Sequence, residues 1–598
     1  MMKRFLPLLM LLLALLCVVE AHAVTSPELC GSGVDEPLAT GGSANGTKGS
    51  CPGGYMDSVW GNGCDLKCSG NDADNDGFTS DGTLGNSGTT YKDCDDNDKR
   101  ALPNFYVPDS YSSPTGYKKC QTDGTYTSTV LNATTPLCEA TGSGVCKYVD
   151  CGSGSDSNSG TYASPYATLG KIAGGSAGTT PSSPFTLTAG SVVYVKGTSA
   201  CTTTMTAAGG LAVLAELTAS GTSTDHIQIK LYPGSTATLG NTNGPAFVTS
   251  GNYYDFDGLD VSTQRSSALN AGSFINTGSH IHGTRLYIHD MGGHGDNNDA
   301  CWSCSHNNDC QIAWSYLKDC NKSTGNVDNI VAIKWLDDAG GGSGSTQCQD
   351  HSAKFNTVLF STYSSTNNGM CFKQKHGCLA VDVGANKHEV AYNYCVNPRR
   401  GFWWDGSSAR IHDNVFITDP EVTVGHLLAD GENVAMEDNE VTNNTLKGSG
   451  EIRWSPIYYG STSMHLRLYK NLVEDEKTSY VGGNNEGVLS IDGYGDNTGK
   501  TYFEAHDLLY EDYNCYHNAN TGVIFSYFAQ SGLGAGVGNW TLGQWRSNRS
   551  KGLNDVESAL SLDAYQQSAT VGCTDAGRRL TSTAGAAASS QGMMSEYQ

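Results

Sequence analysis

Charge is scarce in this sequence. Its 598 residues include only 36 Lys or Arg and 60 Asp or Glu, 16% in all, where an ordinary globular domain carries about 25%. A compact cytoplasmic enzyme built from charged surface helices does not fit that composition. The shortage is greatest among cations, and a net charge of −24 would repel a phosphate backbone, which excludes a basic nucleic-acid binder. Amphipathic helical patterns beyond about three turns are also missing, so the strand-like segments cannot be βαβ units. Only one long apolar run occurs, at residues 5–19, and no later stretch is long enough to cross a bilayer.

What is present is Gly (74), Cys (21), and enough apolar residues, 38%, for a real core. Met1 to Arg4 is a basic start, the apolar run follows, and Ala21-His22-Ala23 is a small-x-small cleavage site. Residues 1–23 therefore read as a signal peptide. The leader takes Cys17 with it and leaves 20 Cys, an even number suited to disulfides in an oxidising, extracytoplasmic compartment. The chain is expected to be secreted or at the cell surface.

Residues 24–68 form a Gly-rich lead-in with Cys30, Cys51, Cys64 and Cys68. Residues 69–146 form a calcium-binding segment and a disulfide-stapled linker containing Cys120, Cys138 and Cys146. The segment reads Asp72-Ala73-Asp74-Asn75-Asp76-Gly77, then Asp93-Cys94-Asp95-Asp96-Asn97-Asp98. Oxygens at alternate positions before a turning Gly are the first half of a calcium loop, since Ca²⁺ takes six to eight hard oxygen ligands. An EF-hand would continue to a Glu, but Thr83 stands there, so Asp93, Asp95, Asp96 and Asp98 are expected to complete the ligand set with Asp72, Asp74 and Asp76. Eight carboxylates between Asp72 and Asp98 would repel one another without a counterion. The pattern resembles the short calcium-binding repeats of secreted proteins, in the style of thrombospondin type 3 repeats. That resemblance implies a structural Ca²⁺ ordering a loop with little core of its own.

From 147 to 565 short strand-like pieces alternate with Gly, Asn, Asp and Ser; examples are 227–231, 312–317, 390–396 and 411–417. Asn recurs in similar apolar settings at Asn393, Asn414, Asn439 and Asn471. A repeat of twenty-odd residues with short strands fits a solenoid, a parallel β-helix with an apolar inner face and a stack of buried Asn. A Greek-key sandwich is the competing all-β reading. Residues 566–598 are rich in Ala, Ser and Thr and read as a low-complexity tail.

Both ends of this body carry a family resemblance. Tyr148-Val149, then Gly154-Ser155-Asp156-Ser157-Asn158-Ser159-Gly160-Thr161 and Ser164-Pro165-Tyr166-Ala167-Thr168-Leu169, resemble the opening segment of right-handed parallel β-helix proteins of the pectate-lyase-like superfamily. Asp512-Tyr513-Asn514-Cys515-Tyr516 and the stretch from Trp540 to Trp545 resemble their closing turn. The resemblance implies an all-β fold, a right-handed parallel β-helix. It leaves activity open, because that superfamily includes lyases, hydrolases, epimerases, tailspikes and non-catalytic surface proteins.

In a chain so poor in cations, their clustering is informative. Lys373, Lys375, Lys387, Arg399, Arg400 and Arg410 fall within one short stretch, beside Phe402-Trp403-Trp404. Cations and aromatic rings on stacked coils would suit an acidic sugar polymer. One reading is β-elimination on a uronic-acid polysaccharide. Lys373 or Lys375 would abstract the C5 proton, Arg399 or Arg400 would clamp the carboxylate, and Arg410, Trp403 and Trp404 would contact the substrate. Lyases of this fold commonly add calcium held by carboxylates. The alternatives are solubilising charge, a non-catalytic glycan-binding groove, or an adhesion or structural surface protein able to self-associate. Hydrolysis by paired carboxylates would draw on Asp290, Asp296, Asp299, Asp319, Asp337, Asp338 or Asp382, any of which could instead form a second calcium site.

Cys301, Cys304 and Cys310, near His306, could suggest zinc or redox chemistry. With Cys320, Cys348, Cys371, Cys378 and Cys395 nearby, they read instead as disulfides. His282, His289 and His294 form a looser group, either turn and groove residues or metal ligands.

Overall fold

The structure is a computed structural model. It describes chiefly residues 136–173, 184–207, 210–264, 272–292, 300–305, 307–320, 331–336, 350–361, 369–375, 388–404, 409–418, 436–448 and 464–476. Shorter pieces are described at 55–57, 64–66, 94, 105–108, 117–129, 427–430, 451–455 and between 488 and 557. The seven aspartates expected to bind calcium, with Lys387, His294, His306, Cys348 and Cys378, lie outside the described residues.

The chain divides into two compact units, the first comprising residues 1–73, 77–105 and 120–127. Within it Tyr55–Asp57 pairs antiparallel with Cys64–Leu66, and Cys94 is bonded to Cys120.

The second unit is a parallel β-helix. Successive coils lay one strand on each of three sheets, which among the described residues hold twelve, twelve and eleven strands. Phe247–Thr249, Tyr254–Asp257 and Asp260–Gln264 make up one such coil, on the first, second and third sheets in that order. The second sheet begins at Cys146–Val149, paired in parallel with Val192–Val195. The third ends at Val556–Glu557. The first is closed by Gly538–Trp540, which runs antiparallel to Phe525–Ala529.

Alternation along each strand sends every second side chain inward. On the first sheet, Phe247, Phe274, Trp302, Ile333, Phe372, Phe402, Leu427, Ile452, Leu489 and Phe525 lie in register, one per coil. All are buried in the main core, each contributing about 1.5–3 kcal/mol relative to exposure. Trp302 fits because the facing position on the second sheet is Gly283, where a Cβ would come within 2.9 Å of the indole ring. At the far end the helix Leu542–Arg549 closes the core, with Trp545 stacked on Phe525 at 4.2 Å.

The corner between the second and third sheets explains where strand expectations fail. Segments 312–317, 390–396 and 411–417 each prove to be two strands, for instance Cys310–Ala313 followed by Tyr316–Lys318. The breaks fall at Trp314, Tyr392 and Asp413, whose φ values of 48°, 58° and 52° are left-handed. Apolar residues on both sides of each break hid the bend, because both strands send residues into the same core.

From Asn356 onward the residue after the bend carries an Asn stack, and the Ser315 N–H that follows the Trp314 bend donates to its first member. Asn356, Asn393, Asn414, Asn444, Asn471 and Asn514 each donate their backbone N–H to the side-chain oxygen of the next member, ending at Asp555. Asn439 was expected in this stack, but Asn444 occupies its place. Asn439 instead accepts from the Ala409 N–H at 3.0 Å.

Of the cysteines read as disulfide-forming, Cys301 is bonded to Cys320, Cys304 to Cys310 and Cys371 to Cys395. Neither zinc nor redox chemistry is needed to account for them.

Candidate functional site

Among the described residues, two polar regions on the outside of the coil bring candidate residues together. The first follows from register on the first sheet. Phe372 and Phe402 point inward, so their neighbours Lys373 and Trp403 point outward. Lys334, Lys373 and Trp403 are register partners on the strands Val331–Leu336, Met370–Lys375 and Arg400–Trp404. The Lys373 ammonium sits 4.4 Å from the Trp403 ring centroid and the Arg400 guanidinium 4.9 Å from it. Trp403 also packs on Ala300, Val331 and Met370, a small apolar cluster apart from the main core. Lys373 and Lys334 are 0% and 2% exposed, so these ammonium groups lie beneath the surface even on the outer face.

The other residues of the cationic stretch separate. Arg399 precedes the Arg400 strand, its backbone N–H donating to the Gly369 carbonyl at 2.9 Å, and burial lowers the pKa of its guanidinium. Lys375 ends the Lys373 strand. Trp404 faces inward, fully buried and stacked on Phe402 at 5.5 Å, so it offers no ring to a ligand. Arg410 lies on the second sheet, between Glu389 and Glu440 in register. There Glu389 accepts from Lys354 at 2.6 Å and meets His412 Nε2 at 2.9 Å.

The second region occupies the outer face of the second sheet, where His282 pairs in register with Asp255 and with Gln311. Asp255 Oδ1 lies 2.9 Å from His226 Nδ1 and 3.3 Å from His282 Nδ1. On its other side His282 Nε2 lies 3.2 Å from Asp309 Oδ2. His280 Nδ1 is 2.8 Å from that oxygen, and Gln311 donates to the other one. Burial would lower the His282 pKa, but the two carboxylates outweigh it and push the imidazole up to about 9. Burial would likewise raise Asp255, yet hydrogen bonds from His226 and His282 hold it at about 2.

His289, from the same loose histidine group, sits elsewhere. It lies on the third sheet between Asp260 and Asp290, at 3.0 and 2.9 Å, with its ring stacked on Tyr287. Asp290 is thus engaged by His289, and Asp319 accepts from the Ser361 N–H and hydroxyl. Asp296, Asp299, Asp337, Asp338 and Asp382 are outside the described residues.

Sequence reasoning missed Lys334, His226, Asp255 and Asp309. For the last three a signal existed. His226 and Asp255 are 29 residues apart, and His282 and Asp309 are 27 apart, which is one coil in this part of the helix. Lys334 gave no such signal, because 39 residues of variable coil separate it from Lys373.

The sequence matches no protein-family model and no curated protein. Among solved structures it is similar to the native GH136 lacto-N-biosidase from Eubacterium ramulus, with 13% identity, a TM-score of 0.39, and coverage of 64% of this chain and 67% of that one. It is also similar to a rhamnogalacturonan lyase, at 13% identity, TM-score 0.37, and coverage of 73% of this chain and 96% of that one. A PL6 family alginate lyase is similar at 9% identity, TM-score 0.33, and coverage of 66% of this chain and 54% of that one.

Proposed function

We propose that this chain is an exported, calcium-binding β-helix protein that holds an acidic polysaccharide on the outer face of its first sheet and cleaves it by β-elimination. The observation that carries the proposal is the convergence of Lys373 and Arg400 on Trp403, with Lys334 the register partner of Lys373. In a chain of net charge −24, a polyanion needs such a local reversal of potential. Lysine works as a general base only where burial or a neighbouring cation disfavours its charged form; Lys373 is buried and pairs in register with Lys334. Lys373 would take the C5 proton of a uronate. The electron pair left behind forms the C4–C5 double bond as the C4–O bond breaks, and the departing oxygen takes a proton from a second donor. Arg400 would neutralise the sugar carboxylate, lowering the barrier to proton loss beside it, and Trp403 would stack on a sugar ring. Lys375, on the same strand as Lys373, and Arg399, next to Arg400, are the alternative base and clamp.

The expected calcium belongs to the N-terminal segment. Asp72, Asp74, Asp76, Asp93, Asp95, Asp96 and Asp98 are hard oxygen donors of the kind Ca²⁺ takes, and the ion's role there is structural. Export rests on the leader and on the disulfides of the body.

A second reading, a non-catalytic glycan-binding or surface protein, is favoured by the burial of Lys334 and Lys373. Ultraviolet detection of unsaturated products from alginate, pectate and glycosaminoglycans, with and without Ca²⁺, separates the two. Product from one polymer, lost in Lys373→Ala, supports the lyase; binding without product supports the second reading.

A further inference from the structure

We propose that His226, Asp255 and His282 form a binding site for a divalent transition-metal ion of the zinc class, on the outer face of the second sheet. The three come from successive coils, and their donor atoms all lie within 4.8 Å of one another. A tetrahedral ion with bonds of about 2.0–2.1 Å needs its ligand atoms about 3.3 Å apart. His226 Nδ1 and His282 Nδ1 lie 2.9 and 3.3 Å from Asp255 Oδ1, so both imidazoles already turn the same nitrogen toward one oxygen at that spacing.

The surroundings of His282 make a second argument. A metal-bound histidine ordinarily donates its other ring N–H to a carboxylate, which fixes its tautomer and orientation. His282 Nε2 has that partner in Asp309 Oδ2 at 3.2 Å. Asp309 is itself held by His280 and by Gln311, so the outer layer is braced as well as present. The side chains of His226, Asp255 and His282 are 20%, 31% and 29% exposed, which leaves an ion a route in and room for water or a ligand to complete its coordination. Two imidazoles and one carboxylate favour a transition metal over Ca²⁺, which prefers oxygen. The site is independent of the cationic patch and of the N-terminal acidic segment, so it stands whether or not the chain is a lyase.

The test uses the full-length mature protein, stripped with chelator and titrated with Zn²⁺ in excess Ca²⁺, which occupies oxygen-only sites. The expected result is one tightly held Zn²⁺ per chain. Asp255→Asn and His282→Gln should each weaken it at least tenfold, and Asp309→Asn by about 10- to 100-fold through lost orientation. Co²⁺ substitution should give the visible bands of a nitrogen- and oxygen-ligated site, absent in Asp255→Asn. Should Asp255→Asn or His282→Gln fail to show the β-sheet circular dichroism of the parent, His226→Gln decides in its place. No Zn²⁺ binding by the parent protein, or binding unchanged in the folded variants, overturns the proposal.

Discussion

Asn393 donates both its backbone N–H and its side-chain NH₂ to the single side-chain oxygen of Asn414, at 3.0 and 2.9 Å. Its remaining side-chain N–H goes to the Ala353 carbonyl, at 2.8 Å. Along the stack, the corner of one coil is thereby tied to the coil on either side, and polar groups freed by the bend are satisfied inside the protein.

Asn414→Ala should therefore cost more than a buried apolar truncation of that size. It strips the acceptor from two buried donors of Asn393 and a donor from Asn444 and Val390, and each unsatisfied group costs about 1–3 kcal/mol. Guanidinium denaturation should show a loss of about 3 kcal/mol or more, with Asn414→Asp less damaging because an acceptor survives. A loss below about 0.5 kcal/mol would remove the stack from the account of stability.

If the first-sheet patch is a lyase site, Lys373→Ala should reduce the rate of product formation by about 10²-fold or more, the usual worth of a general base. Trp403→Ala should raise KM more than it lowers kcat. Arg410→Ala should leave the reaction within about twofold, since Arg410 belongs to the second sheet beside Glu389. Equal losses from Lys373→Ala and Arg410→Ala would argue against a localised site.

Stability should decline on the alkaline side through His412. Burial would lower its pKa, but Asp413 and Glu389, at 2.8 and 2.9 Å, push the imidazole up from 6.5 to about 9. Because the folded value is the higher one, this contribution is complete below pH 6.5 and disappears as pH rises through about 9. The amount at stake is on the order of 3 kcal/mol. Thermal melts from pH 6.5 to 9.5 should fall in the parent and be flatter in His412→Gln.

His388 should produce the opposite trend in acid. It is fully buried, stacked 5.2 Å from His351, and neither ring nitrogen has a hydrogen-bond partner among the described residues. Burial lowers its pKa from 6.5 to about 4. The folded state resists protonation that the unfolded state accepts, so stability is retained above pH 6.5 and lost as pH falls toward 4. His388→Phe, which keeps an aromatic ring and cannot charge, should blunt that loss in thermal melts; an unchanged acid limb would assign it to other groups.

How much of the molecule could be read from the chain alone differs by level. Short strands, the apolar inner face and an Asn stack were legible because they repeat, and repetition survives insertions between coils. The strand breaks at Trp314 and Tyr392 were not, since their left-handed φ values are imposed on residues that do not ordinarily adopt them; only Asp413 is of a type enriched there. Asn439 and Asn444 are close in sequence and both buried, and nothing local distinguishes the one that stacks.

Composition and periodicity by themselves determined the class of this protein: too few charges for helical surfaces, enough Gly and Asn for turns, and a coil-length repeat that only stacking can bury. Register decided everything at the sites. It put Lys334 beneath Lys373, moved Arg410 to another sheet, turned Trp404 into the core, and placed His226, Asp255 and His282 on successive coils. The reason is geometric. Neighbours in a β-helix are one coil apart, coil length varies with every insertion, and a shift of one residue moves a side chain from the outer face to the core.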